Sequence, residues 1–374
     1  MKPPLEHHGA GASRPEKLAD GSPVCRLIAW EVTRACNLAC KHCRAEAHAE
    51  PHPGELSTAQ AKALIDSFPE TGKPIIIFTG GEPMLRPDLY ELIAHARTRG
   101  LPCALSPNGT LITPETAAKI RDSGVQRCSI SIDGPDEASH DAFRGVPGAF
   151  AASLRGIGHL KAAGVPFQIN TTVTKSNLHS FKAISGLCEQ LEAAAWHIFL
   201  LVPVGRAAEL ADQIITAQEY EDVLHWLYDC RVSMRMHLKA TCAPHYYRIM
   251  RQRAKAEGLR VSPDTFGPDA MTRGCLGGTG FCFISHVGQL QPCGYLNLDC
   301  GDVRATPFPT LWRTAKVFLQ FRDQAAYTGK CGRCEYHRVC GGCRARAFSM
   351  DGDHMGEEPL CLYQPQNRGQ RDDR

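Results

Sequence analysis

The chain has 374 residues, 43% hydrophobic and 22% charged, which excludes a disordered chain and allows one large core or two domains. A net charge of +3 leaves no footprint for nucleic acid or a membrane surface. The outlying number is the eighteen cysteines.

Residues 1–24 begin MKPPLEHHGAGASRPEKLADGSP, with no apolar centre, so they do not read as a signal peptide. Their Pro, Gly and His content predicts a flexible lead-in. Without an export signal the expected location is cytoplasmic. Thiols there stay reduced, so eighteen cysteines point to metal or iron–sulfur ligation rather than a disulfide framework. The longest apolar run, near 193–204, is interrupted by His197 and is too short to span a bilayer.

From residue 25 to 204, short apolar runs alternate with amphipathic stretches. The runs are LIAWEV (27–32), PIIIFT (74–79), PCALS (102–106), RCSISI (127–132), FQINTTV (167–173) and HIFLLV (197–202). Between them lie helix-like segments such as TAQAKALIDSF and PETAAKIRDSG, several closing on Gly as helix C-termini often do. Six strand–helix units predict a parallel sheet with right-handed crossovers, too few for a full eight-stranded barrel. The expected architecture is an open partial (β/α)6 barrel with functional residues at the C-terminal strand ends. Residues 205–270 predict a helical bridge, 271–365 a Cys- and Gly-rich second domain, and 366–374 a disordered polar tail.

Directly after the first run, EVTRACNLACKHCRAEA places Cys36, Cys40 and Cys43 within eight residues. Cx3CxxC is not a zinc-finger spacing. Three thiolates can hold three irons of a [4Fe–4S] cube and leave the fourth open to a chelating molecule. On spacing alone, a structural zinc site and three unrelated thiols stay open as alternatives.

The loop's position after a first strand, His42 before its last cysteine, and TGGEP at the end of the second run together resemble the radical S-adenosylmethionine (SAM) superfamily. The resemblance implies that Cys36, Cys40 and Cys43 hold a [4Fe–4S] cluster with SAM at its open iron. It makes Gly80, Gly81, Glu82 and Pro83 the motif that receives the SAM amino group. Physically, a Gly-rich strand end lets a ligand approach the backbone, and Glu82 offers a carboxylate to an ammonium. Further matches fall at later strand ends: Ser106 and Asn108, Ser131 and Asp133, Arg144 as a partner for the SAM carboxylate, and Asn170 with Thr172. As residues alone, Asn108 and Asp133 each precede Gly and fit turn caps equally well.

The C-terminal cysteines form two blocks, Cys275, Cys282 and Cys293, then CGRCEYHRVCGGC with Cys331, Cys334, Cys340 and Cys343, followed by Cys361. These resemble the SPASM extension, which carries auxiliary [4Fe–4S] clusters. The family's crossing pattern implies one cluster on Cys331, Cys334, Cys340 and Cys361, and a second on Cys275, Cys282, Cys293 and Cys343. The step from Cys340 to Cys343 is one residue shorter than the family's, which puts the second site, Cys343 above all, in question. Zinc is the competing metal, but thirteen residues from Cys331 to Cys343 are far too short for a zinc ribbon. Cys103, Cys128, Cys188 and Cys230 read as small buried hydrophobes, and Cys300 has no assigned role.

IAWEVTRACNLACKHCRAEA, PVGRA, KATCAPHYYR and CGGCRARA resemble the porphyrin-acting decarboxylases within this superfamily, from about residue 25 to 365. This implies oxidation of two propionates of iron-coproporphyrin III to vinyl groups, giving haem. It also implies a low-potential electron donor of flavodoxin or ferredoxin type, and oxygen sensitivity. An anionic porphyrin calls for cations and an axial iron ligand, for which Arg206, Lys239, His245, Tyr246 and Arg248 are candidates. APHYYRIMRQR reads equally as an amphipathic helix with packed His and Tyr. Three other readings are a porphyrin enzyme acting on a sirohaem derivative, a peptide maturase, and an iron–sulfur carrier. Against the maturase, the short segment before Cys25 leaves no room for a peptide-binding winged-helix domain. A carrier has no use for GGEP.

Overall fold

In the computed structural model, which describes residues 17–366, one nine-stranded sheet runs through the molecule in the order β7-β6-β5-β4-β3-β2-β1-β8-β9. The six predicted strands are all present: β1 (Leu27–Glu31), β2 (Ile75–Thr79), β3 (Cys103–Leu105), β4 (Arg127–Ser131), β5 (Phe167–Val173) and β6 (Ala195–Leu200). They pair in parallel in sequence order, as repeated strand–helix units require.

Three strands were not foreseen. β7 (His237–Thr241) lies inside the segment read as a helical bridge and extends the parallel array beside β6. β8 (Phe281–Ile284) pairs in parallel with β1, and β9 (Leu290–Gln291) returns antiparallel to β8. The Cys-rich segment therefore continues the sheet on which the first cysteine loop stands.

Side-chain alternation gives the sheet two faces. One carries Ile76, Phe78, Ile130, Ile169, Trp196 and Ile198, all fully buried under helices. The covering helices are α1 (Thr58–Ser67), α2 (Leu89–Thr98), α3 (Pro114–Ser123), α5 (Ala149–Ala162), α6 (Lys175–Leu178) and α7 (Phe181–Gln190), while α4 (Glu137–Arg144) precedes α5 and ends against the first cysteine loop. Each large apolar side chain so buried contributes about 1.5–3 kcal/mol. The other face, with Asn170, Thr172, His197 and Lys239, is only half-buried and lines the lumen of the open barrel. Local signals set the helix ends: Ser57 and Gln60 form a capping box on α1, and Gly124 takes the left-handed conformation (φ 76°) that ends α3. α8 (Ala217–Cys230) and α9 (His245–Ala256) pack together beyond β6.

Of the expected lead-in, residues 1–16 lie outside the described residues, but 17–24 are fastened down. The buried Trp312 indole N–H donates to the Pro23 carbonyl at 2.8 Å, and Arg313 pairs with Asp20 at 2.5 Å. Most of the expected C-terminal tail (367–374) is likewise outside the described residues. Among them, no helix is long and apolar enough to cross a membrane.

Candidate functional site

Cys36, Cys40 and Cys43 sit together on the loop after β1, packed with Leu38, Val146 and Ala149. The loop's shape is imposed by its backbone partners. Cys36 N–H donates to the His48 carbonyl at 2.7 Å, and Ala39 and Lys41 N–H reach the Arg144 and Phe143 carbonyls at the end of α4. Arg206 clamps the far side: its Nε donates to Cys40 O at 2.9 Å and its Nη1 to Ala47 O at 3.0 Å. His42 stacks on Phe143 with centroids 4.3 Å apart. Burial, then Glu82 and the two neighbouring thiols, pushes the Cys36 thiol up to about 12. Three thiolates crowded on one partly buried loop repel one another until a cation joins them, so the donor set fits a metal cluster.

The GGEP segment lies against this loop. Gly81 N–H donates to Thr33 O at 2.8 Å and Glu82 N–H to Ala35 O at 2.7 Å. A Cβ on Gly80 would stand 2.5 Å from Thr33 O, so only glycine allows the two backbones so close. Pro83 opens a tight turn capped by the Glu82 side chain. Glu82 is fully buried; its carboxylate accepts the N–H groups of Asn108 (2.7 Å) and Met84 (3.1 Å). Burial raises it to about 7, against those two hydrogen bonds. A buried carboxylate held by two neutral donors fits an ammonium partner.

Ser106, Ser131 and Asn170 are half-buried at or near the strand ends. Ser131 and Asn170 are register partners. Asp133 is almost fully engaged: Oδ2 pairs with Arg144, Oδ1 accepts Thr172 N–H at 2.7 Å, and its backbone N–H meets His140 Nδ1 at 3.2 Å. Arg144 also donates to Cys40 Sγ at 3.5 Å, so it joins Asp133 to the cysteine loop. Asp133 is thus a positioning residue first.

Four C-terminal cysteines, Cys331, Cys334, Cys340 and Cys361, line one cavity. Four thiols around a shared hollow fit an iron–sulfur cube. The other expected set requires a correction. Cys282 points to the helix-covered face of β8, where its register partner is the fully buried Ile28, and it meets Cys25 and Cys300 instead. Cys242, which had no assigned role, gathers with Cys293 and Cys343 in a small apolar cluster. The charges of Cys343, Cys293 and Cys275 all bear on it. Cys343 therefore belongs to this group despite its shortened spacing. Cys103, Cys128 and Cys188 are core residues, as read from sequence.

Of the candidate substrate residues, Lys239 faces the lumen and the other four fall elsewhere. Arg206 is committed to the cysteine loop. His245 and Arg248 line the cavity of Cys331, Cys334, Cys340 and Cys361. His245 is fully buried, lies 4.0 Å from Glu358, and is lowered to about 4 by burial, so it is neutral. Arg248 is held by both oxygens of Glu221 at 2.8 and 2.6 Å. Tyr246 is buried against Tyr247. The start of α9 packs inward because its first turn faces the cysteine cavity rather than the lumen.

Sequence reasoning also missed a buried triad beside Cys43. Glu31 at the end of β1 pairs with Arg44 at 2.9 Å and with His286 at 2.6 Å. Burial would raise Glu31, but Arg44, His286 and Arg34 overcome it and hold the carboxyl below its usual range. Arg44 covers the Phe283 ring at 4.5 Å and packs on Gly294, next to Cys293. Its place directly after Cys43 was the available signal.

Known proteins agree with this geometry. Residues 30–187 match the Radical SAM superfamily. The chain is 73% identical over 354 residues to the AdoMet-dependent heme synthase of Nitratidesulfovibrio vulgaris, covering 95% of this chain and 96% of that protein. It belongs to the radical SAM superfamily. Within it, the same name is carried by a Methanosarcina barkeri protein 52% identical over 340 residues, 91% of this chain and 97% of that one. The crystal structure of Streptococcus suis SuiB bound to its precursor peptide SuiA superposes with TM-score 0.71 at 15% identity, covering 91% and 76% of the two chains, and so shares the fold.

Proposed function

We propose that the protein is a radical SAM oxidative decarboxylase that converts iron-coproporphyrin III to haem. The observation that carries this is the gathering of two four-cysteine groups behind a three-cysteine SAM-type loop, in a chain 73% identical to an AdoMet-dependent heme synthase. A loop alone serves any radical reaction; an oxidation needs an exit for an electron.

When bound, the [4Fe–4S] cluster and SAM would supply a 5′-deoxyadenosyl radical able to remove a β-hydrogen atom from a propionate. The propionate radical then loses CO2 and one electron, leaving a vinyl group; the step runs twice. Cys36, Cys40 and Cys43 hold the cluster. Gly80, Gly81, Glu82 and Pro83 receive the SAM amino group, with Glu82 as its counter-charge. Ser106, Asn108, Ser131 and Asn170 offer polar contacts along the strand ends, and the Asp133–Arg144 pair fixes the loop from below. Cys331, Cys334, Cys340 and Cys361 would hold one auxiliary cluster, which would offer the departing electron an acceptor, and Cys242, Cys275, Cys293 and Cys343 would hold a second. A low-potential flavodoxin- or ferredoxin-type protein supplies the reducing electron. Eighteen free cysteines favour a cytoplasmic setting.

The test is an anaerobic assay of reconstituted, dithionite-reduced protein with SAM and iron-coproporphyrin III, followed by mass spectrometry. Stepwise loss of two CO2 and four hydrogens is expected, each event taking one β-hydrogen atom and one carboxyl proton and yielding one 5′-deoxyadenosine. SAM cleavage with the porphyrin unchanged overturns the substrate assignment.

A further inference from the structure

A polar row crosses the lumen face of four adjacent strands. Register pairs Ser131 with Asn170, Asn170 with His197, and His197 with Lys239. Neighbouring strands lie about 4.8 Å apart, so these side chains project side by side. His237, two residues before Lys239, shares its face; Arg127 stands on the same face of β4, four residues before Ser131. The row's hydrogen bonds run within itself: Gln168 Nε2 meets His197 Nδ1 at 2.9 Å and Asn170 Oδ1 at 3.0 Å.

The charge balance of this surface is one-sided. Lys239 and Arg127 both direct positive charge at His197, while burial, then Lys239 and Arg127, lower His237 to about 4 and leave it a neutral donor. The carboxylate acting on Lys239 is Asp269, itself pushed up to about 6 by burial, with Lys239 and Tyr247 opposing. Nε2 of His237 and Oγ1 of Thr241, next along this face, are buried without hydrogen-bond partners. A half-buried surface rich in cations and donors and poor in acceptors is matched by a ligand that brings several carboxylates. A solvated surface would spread these charges outward, and a purely structural lysine would need only Asp269.

The row also stands at a useful depth. Asp133, two residues beyond Ser131, is paired to the arginine that touches Cys40. Two strand residues span about 6.6 Å. From Ser131 the row runs three strands across to Lys239, about 14 Å, so a broad flat substrate with one edge at the cysteine loop can bring its opposite edge toward Lys239.

We propose that Lys239, assisted by His197 and His237, anchors the carboxylates of the substrate that are not reacting, and so sets which propionate reaches the cysteine loop. This rests on the porphyrin reading above. The test is a visible-absorption titration of reconstituted holoenzyme with iron-coproporphyrin III. Wild type is expected to bind. Lys239→Met weakens binding by about ten-fold or more, Lys239→Arg restores most of it, and Asp269→Asn, which removes the structural partner but keeps the lysine, does not weaken it. Failure of wild type to bind refutes the porphyrin reading itself. Binding by wild type with no change in Lys239→Met overturns the anchor. So does an equal loss in Asp269→Asn, which would mark Lys239 as a structural pair, and so does a Lys239→Arg variant that folds but stays weak.

Discussion

The Glu358 carboxylate accepts the backbone N–H of Cys343 at 2.7 Å, while its own N–H lies 3.4 Å from Cys331 Sγ. One residue thus touches a member of each C-terminal cysteine group. Arg346, also fully buried, faces it at 3.3 Å through Nη1 and turns Nη2 to the carbonyls of Leu200, Leu201 and Cys242. Burial would raise Glu358, but Arg346, joined by the Cys343 N–H and Arg344, outweighs it and holds the carboxyl below its ordinary value.

Glu358→Gln leaves Arg346 as an uncompensated buried charge and is expected to cost about 3–5 kcal/mol of stability. Because the folded-state carboxyl lies low, its contribution is full at neutral pH and is lost as pH falls from the unfolded value through the folded one. The variant should therefore show a flatter acid limb in chemical denaturation at several pH values. Identical wild-type and variant profiles would count against the network.

Glu82, raised to about 7, must be ionised to hold an ammonium. SAM affinity of the reconstituted protein should rise with pH, about ten-fold per unit below that value, then level off. Equilibrium binding at a series of pH values reads this directly, and Glu82→Gln should be weak and pH-independent. A wild-type affinity that does not change with pH would exclude Glu82 as the counter-charge.

Cys242 and Cys282 offer a sharp contrast, since sequence spacing favoured the second and position favours the first. Anaerobic reconstitution of Cys242→Ala is expected to lose up to about four irons, while Cys282→Ala keeps the wild-type content. Iron and sulfide analysis decides it, and the reverse pattern restores the sequence assignment.

Replacing Cys36, Cys40 or Cys43 by Ala should abolish SAM cleavage, whereas Cys334→Ala should retain cleavage and lose product. Both are read in one assay, as 5′-deoxyadenosine and as haem. Full product from Cys334→Ala would remove that cavity from the electron's route.

Gly81→Ala would drive a methyl group into the Ala35 and Arg34 carbonyls, with a backbone atom rather than a mobile side chain in the way. We expect a loss of about 1–3 kcal/mol or more, and poor cluster incorporation measured by visible absorption. Gly158→Ala meets open space and serves as the control.

The first six strands were legible because each is an apolar run closed by turn residues, with little to compete with that pattern. β7 was not, because HLKAT places His, Lys and Thr toward the lumen and only Leu238 and Ala240 toward the core. A strand lining a polar cavity carries a weak apolar signature. The Cx3CxxC loop and GGEP announced themselves by local spacing. Cys242 did not, since a lone cysteine reached by tertiary packing carries no spacing signal. Strand alternation in FCFI was available to direct Cys282 toward the core. His245 read as a substrate candidate or a packed histidine and Arg248 as a substrate candidate or a solvated arginine, but partners distant in sequence, Glu358 and Glu221, draw both inside.

β1 is bonded on one side to β2 and on the other to β8, some 250 residues later in the chain. During synthesis, the strand that carries the first cysteine loop waits with one edge open until residues 281–284 leave the ribosome. Because an open strand edge invites mispairing, a chain shortened before β8 should aggregate rather than survive as a smaller enzyme. The maturation machinery thus meets a scaffold whose first metal loop gains its full support only when nearly three-quarters of the protein has been made, which links the timing of cofactor loading to the completion of translation.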